Sequence, residues 1–98
     1  MHVVVWEYTV RPGAEAEFLA HYAADGTWTR LFRRAPGFLE TELLRDRRDP
    51  SRFATIDRWE SESAYRAFRE RFAGEYETLD ARCAGLTEEE RCLGDFET

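Results

Sequence analysis

The order of predicted elements, β-α-α-β-β-α-β, points to an α+β fold in which one antiparallel sheet carries its helices on a single face. Three features of the sequence predict it. Residues 2–11 alternate through β-branched and aromatic side chains and stop at Pro12-Gly13. Two further strand-like segments, Phe38 to Arg47 and Arg52 to Glu60, flank the turn-forming Arg48-Asp49-Pro50-Ser51 and read as a hairpin. From Tyr65 to Cys83 apolar residues recur every three or four positions, the period of a helix. Put in sequence order these give a split β-α-β, ferredoxin-like arrangement, and 98 residues are enough for one domain, 1–98, and no second.

The first strand offers Val3 and Val5 on one face and Val4, Trp6, Tyr8 and Val10 on the other. Ala14 to about Ala24 reads as a helix, with Phe18, Leu19 and Tyr22 on one side and Glu15 and Glu17 near its positive end. Asp25-Gly26 interrupts it, and Trp28, Leu31, Phe32 and Ala35 begin a second short helical stripe that Pro36-Gly37 closes. Ser61 has the chemistry of an N-cap for the long helix carrying Tyr65, Phe68, Phe72, Tyr76, Leu79 and Cys83. Gly74 lies inside that helix and is where a bend is expected. After Gly85, Thr87-Glu88-Glu89-Glu90 could form a capping box, but little periodic sequence follows. A last strand from about Glu90 to Phe96 is the better expectation.

A sheet with one solvated face should alternate cleanly between apolar and polar residues. Here the first strand is apolar on both faces, and the second carries Leu39 and Leu43 on one face with Phe38 and Leu44 on the other. The face that the helices leave bare therefore needs a cover, and a second copy of the chain across a two-fold axis supplies one. A homodimer is expected.

The net charge of −6 argues against nucleic acid and against an anionic membrane surface as partners. Arg30, Arg33 and Arg34, and the interrupted group Arg45, Arg47 and Arg48, read as solvated faces and turns. All fourteen basic residues are arginine, and the chain has no Asn and no Gln, a bias that fits a GC-rich bacterial genome. Cys83 and Cys92 match neither a CxxC motif nor a zinc site, and His2 and His21 stand apart, so no metal site is expected. No apolar run is long enough to span a membrane, and the first residues lack a secretory leader's pattern, so a cytoplasmic protein is expected.

Several segments together carry a family resemblance. They are Val10-Arg11-Pro12-Gly13; Pro36-Gly37-Phe38 leading into Thr41-Glu42-Leu43-Leu44-Arg45-Asp46; Phe53 to Ser61 with Trp59 near its end; Ala64-Tyr65-Arg66-Ala67-Phe68; and Leu93-Gly94-Asp95-Phe96. Over nearly the whole chain the sequence resembles the antibiotic-biosynthesis monooxygenases, whose monomers pair into a dimeric α+β barrel. The resemblance implies oxidation of a small aromatic or polyketide-like compound by O2, with no metal, flavin or haem cofactor. It also implies a pocket lined by a Trp ending the third strand and a Tyr six residues later, here Trp59 and Tyr65. The Asn that the family places four residues before that Trp is Thr55 in this chain, whose hydroxyl lacks a carboxamide's paired donor and acceptor. A family Arg in the second half of the long helix has Arg82 as its nearest counterpart. Relatives that degrade haem use an Asn, a Trp and a helical His, and this chain has no Asn and no His in the long helix.

Asp57 shares a strand face with Thr55 and Trp59. It either pairs with an arginine across the sheet or, desolvated, becomes a proton acceptor. The catalytic candidates are thus Trp59, Tyr65 and Asp57, with Thr55, Trp6, Trp28, Phe32, Phe68 and Phe72 as substrate-binding wall. Each aromatic residue among them has plain core packing as its alternative. Two functions fit these residues: a cofactor-independent monooxygenase acting on a small aromatic or quinone-forming compound, and a non-catalytic small-molecule-binding dimer or accessory subunit on the same fold.

Overall fold

The computed structural model describes all of residues 1–98. The alternating N-terminal segment forms β1 (His2–Val10), followed by α1 (Glu15–Tyr22) and α2 (Thr27–Phe32). The hairpin strands are β2 (Phe38–Arg45) and β3 (Arg52–Trp59), then come α3 (Glu62–Arg71), α4 (Ala73–Cys83) and β4 (Thr87–Glu97). The sheet runs β2-β3-β1-β4 with every neighbouring pair antiparallel. This is the expected α+β, split β-α-β topology, with β1 and β3 at its centre.

The two most buried strands, β1 and β3, occupy the centre and turn one face against the helices. Val4, Tyr8 and Val10 of β1 and Phe53, Thr55, Asp57 and Trp59 of β3 are buried there. They join Phe18, Tyr22, Trp28, Leu31, Phe32, Phe68 and Phe72 from the helices in one aromatic-rich core. Ser61 caps α3 as its chemistry predicts, its Oγ accepting the Ala64 backbone N–H at 3.1 Å. Gly37 turns the chain into β2 at φ 91°, and a Cβ there would lie 2.6 Å from the Ala64 Cβ. Only glycine meets both conditions.

Three expectations change in detail. The single long helix is two helices, and they meet at Phe72 (φ −107°, ψ 25°) rather than bending at Gly74. Phe72 is buried and stacks on Phe68 at 5.6 Å, so the break follows an anchored aromatic ring. Nothing packs on Gly74. No capping box forms at Thr87; Ala84–Leu86 makes a short 3₁₀ turn and β4 starts at Thr87, three residues before the expected Glu90. Leu86 and Thr87 are buried and Thr87 pairs with Val10, so burial and a ladder position override the local capping pattern.

The sheet face away from the helices holds Val3 and Val5, whose cross-strand partners include Phe96 and Ile56, and the pair Leu44 and Ala54. Ion pairs bracket this apolar belt. At one end Glu7 binds both Arg52 and Arg91, and Arg52 also reaches Asp46 at 3.1 Å. At the other, Arg58 contacts Glu40 at 2.9 Å and Glu42 at 3.1 Å. No helix is long and apolar enough to cross a membrane.

Candidate active site

Between the helix-facing side of the sheet and helices α1, α2 and α4 lies a cleft of about 430 Å³ counted out to its mouth. Strands β1 and β3 supply its floor through Trp6, Tyr8, Thr55 and Asp57, with Thr41 of β2 beside them. Helices α1 and α2 add Tyr22, Trp28 and Phe32. Tyr76 and Asp80, one helical turn apart on α4, and Glu90 of β4 complete it.

The floor is set by strand register. Asp57 lies between Val4 of β1 and Thr41 of β2, which places the Thr41 hydroxyl to donate to the Asp57 carboxylate at 2.7 Å. Two residues along the same face, the Thr55 hydroxyl meets the Tyr8 hydroxyl at 3.2 Å. Asp57 is only 7% exposed and has no cationic partner. The neighbouring arginines point to the other face, where Arg58 holds Glu40 and Glu42, and Arg52 holds Glu7 and Asp46. The cross-sheet arginine pairing of Asp57 is therefore not formed.

Burial pushes the Asp57 carboxyl up to about 6, and the Thr41 hydrogen bond offsets part of that rise. Burial also raises Tyr8 and Tyr22 well above the ordinary phenol range and takes Tyr76 up to about 12. The three phenols stay protonated at neutral pH, leaving Asp57 as the group deep in the cleft that exchanges a proton there. The indole N–H of Trp28, in the same wall, is buried without an acceptor.

Of the residues singled out from sequence, Asp57, Thr55, Trp6, Trp28 and Phe32 come together around this cleft. Trp59 and Tyr65 lie outside its lining. Trp59 is fully buried among Phe32, Phe38, Phe68 and Tyr65, with ring centroids 5.1 to 5.7 Å away. Tyr65 packs against Trp59 and His2, and its hydroxyl accepts from Arg69 at 3.0 Å. Phe68 and Phe72 sit in the core and edge a separate outer groove beside Pro36 and Gly37. Neither histidine lines the cleft; His21 pairs with the Thr27 hydroxyl at 2.9 Å, and His2 lies 3.6 Å from Asp95.

Tyr8, Tyr22, Thr41, Tyr76, Asp80 and Glu90 were not singled out. Alternation alone puts Tyr8 on the face of Trp6, so that one was within reach. Thr41 and Glu90 depend on cross-strand register, Thr41 opposite Asp57 and Glu90 opposite Tyr8. Tyr76 and Asp80 depend on where the helix breaks.

Comparison with known proteins fits this architecture. The family model for antibiotic biosynthesis monooxygenases matches residues 1–73. No curated protein matches the chain in sequence. Among solved structures, a single-residue variant of SnoaB of Streptomyces nogalater, a cofactor-independent oxygenase, is similar at 25% identity and TM-score 0.78, over 99% of this chain and 91% of that one. A variant of MhuD carrying two manganese protoporphyrin IX molecules per active site is similar at 26% identity and TM-score 0.70, over 100% and 94%. A conserved protein of Methanosarcina mazei shares the fold at 12% identity and TM-score 0.74, over 99% and 91%. The family match ends at Ala73, so Tyr76, Asp80 and Glu90 lie beyond it. With the match covering the central strands and the floor of the cleft, the chain belongs to the antibiotic biosynthesis monooxygenase family.

Proposed function

We propose that this protein is a cofactor-independent monooxygenase that oxidises a small aromatic, quinone-forming compound with O2, using Asp57 as the proton acceptor. One observation carries the reading: a buried carboxylate without a counter-cation, held by one hydroxyl, on the floor of a cleft walled by aromatic rings. Such a group is ionised at neutral pH yet poorly solvated, which suits it to remove a proton from a phenol or an activated CH2.

The chemistry balances without an added reductant. Asp57 takes one proton from the activated CH2 of an anthrone-like substrate, and the carbanion passes an electron to O2. Recombination of the radicals forms a C–O bond, and return of the proton gives a hydroperoxide. Loss of water, breaking the O–O bond and the second C–H bond, leaves a carbonyl. One oxygen atom enters the substrate and the other leaves as water, with four electrons drawn from the carbon. Thr55 and Tyr8 are the groups that orient substrate oxygens, while Trp6, Trp28 and Phe32 supply stacking surface. Trp59 and Tyr65 act from behind the wall, fixing Phe32 and the end of β3.

The working form in this reading is a homodimer. The belt of Val3, Val5, Ile56, Leu44 and Phe96 lacks a cover, Leu44 and Phe96 are 43% and 49% exposed, and a second sheet face would bury them. A binding role without turnover is favoured by a different observation, Thr55 where oxygenase relatives of this family carry Asn. Oxygen uptake with an anthrone or a simple hydroquinone decides between the two. Consumption that depends on Asp57 supports the oxygenase, and binding of the aromatic compound without uptake supports the binding protein.

A further inference from the structure

The charge of the cleft has a consequence for what enters it. Asp57 lies at its floor, while Asp80 and Glu90 stand at its mouth, exposed and without ion-pair partners. No arginine or histidine lines the cleft. The nearby Arg69 guanidinium lies over the Tyr76 ring at 4.0 Å, but it donates to the Tyr65 hydroxyl and stays outside the lining. The rest of the wall is aromatic, and its polar side-chain atoms are neutral hydroxyls.

Resting on the proposed reading of this cleft, we infer that it selects aromatic compounds without acidic substituents and rejects carboxylated or sulfonated ones, with Asp80 and Glu90 setting the selection. An anionic ring would leave water for a site holding three like charges, one of them buried and two at the exposed mouth, and like charges brought together disfavour binding. A phenol or ketone meets no such penalty and finds hydroxyls in the lining with which to hydrogen-bond. Burial together with the charge of Asp80 raises the Glu90 carboxyl, so the two mouth residues already sense each other's field. They lie on α4 and β4, beyond the family-matched residues 1–73.

The test uses two ligands of one size, 2-naphthol, which is neutral at pH 7, and 2-naphthoate, an anion, with binding measured by titration calorimetry. Wild type should bind the naphthol at least about ten-fold more tightly than the naphthoate, and the gap should narrow as salt screens the exposed mouth. Asp80→Asn/Glu90→Gln should narrow the naphthol-to-naphthoate affinity ratio roughly five-fold or more; both positions are exposed, so folding is retained. Equal affinity of the two ligands for wild type would overturn the inference, as would an unchanged gap in the double variant or the binding of neither ligand. Selective naphthol binding with no oxygen uptake on any hydroquinone would instead overturn the oxygenase reading and leave the charge selection standing.

Discussion

The hydroxyl of Thr41 donates to the carboxylate of Asp57 across 2.7 Å, and no cation stands within ion-pairing distance of that carboxylate. A buried charge with a single neutral donor is a costly arrangement for a core to keep. Its neighbours show that the cost is local. On the opposite face of the same sheet, Glu7 has two arginines and Arg58 has two glutamates. Those outer-face charges are paired, and Asp57, buried at the cleft floor, is not.

This arrangement makes stability depend on pH in a definite direction. Burial raises the Asp57 carboxyl from 3.8 to about 6 in the folded state. Between those values the folded chain holds a proton that the unfolded chain has lost, so stability falls as pH rises from about 4 through about 6 and is level above. The full loss is about 3 kcal/mol. Asp57→Asn keeps an acceptor for Thr41 and removes the charge, so at pH 7.5 it should melt higher than wild type by on the order of 10 °C. The two should converge as pH falls below about 3.8. Thermal melts at the two pH values check this, and an Asn variant less stable at both would contradict it.

The Tyr8–Thr55 contact predicts a coupled pair. Tyr8→Phe and Thr55→Val each leave one buried hydroxyl without its partner and should cost about 1–3 kcal/mol. The double variant should cost less than the sum of the two. Urea denaturation of all four proteins measures the coupling, and strict additivity would mean that the hydroxyls do not pair.

Trp59 and Tyr65 should behave differently from each other. Trp59→Ala opens a cavity in a fully buried site and should cost about 3–5 kcal/mol. Tyr65→Phe removes only the hydroxyl that accepts from Arg69 and should leave the melting temperature within about 5 °C and turnover within about two-fold of wild type. Turnover lowered ten-fold or more at unchanged melting temperature would place the Tyr65 hydroxyl at the substrate.

Much of the fold was legible in the sequence because it is written in local period. Alternation gave β1 and the hairpin, the three-and-four repeat gave the helices, and apolar residues on both faces of β1 marked an uncovered sheet. The site was legible where alternation reaches, which is why Thr55 and Asp57 were found on one strand face. Elements that depend on contacts between distant segments were not legible. Thr41 reaches Asp57 through the β2–β3 register, and Glu90 faces the cleft through a β4 register shifted by bulges, one of them at Val5/Trp6. The turn at Phe72 was hidden because a buried ring breaks the helix where glycine was the expected cause.

The homodimer is tested on the bare sheet face. Ile56→Arg places a charge at the centre of the apolar belt without touching the helix-side core. Wild type should scatter light at twice the 11.5 kDa chain mass at micromolar concentration, and the variant at the mass of one chain. A wild-type monomer would remove the dimer from this account.

The most direct test of Asp57 as proton acceptor is the pH dependence of oxygen uptake with an anthrone that is neutral across pH 5–8. Wild-type kcat/KM should rise through a single ionisation near the value of about 6 set by burial of Asp57. Asp57→Asn, folded and binding the anthrone as wild type does, should lose on the order of 10²-fold or more and show no such rise. Uptake by Asp57→Asn within a few-fold of wild type, with the same pH profile, would contradict the account.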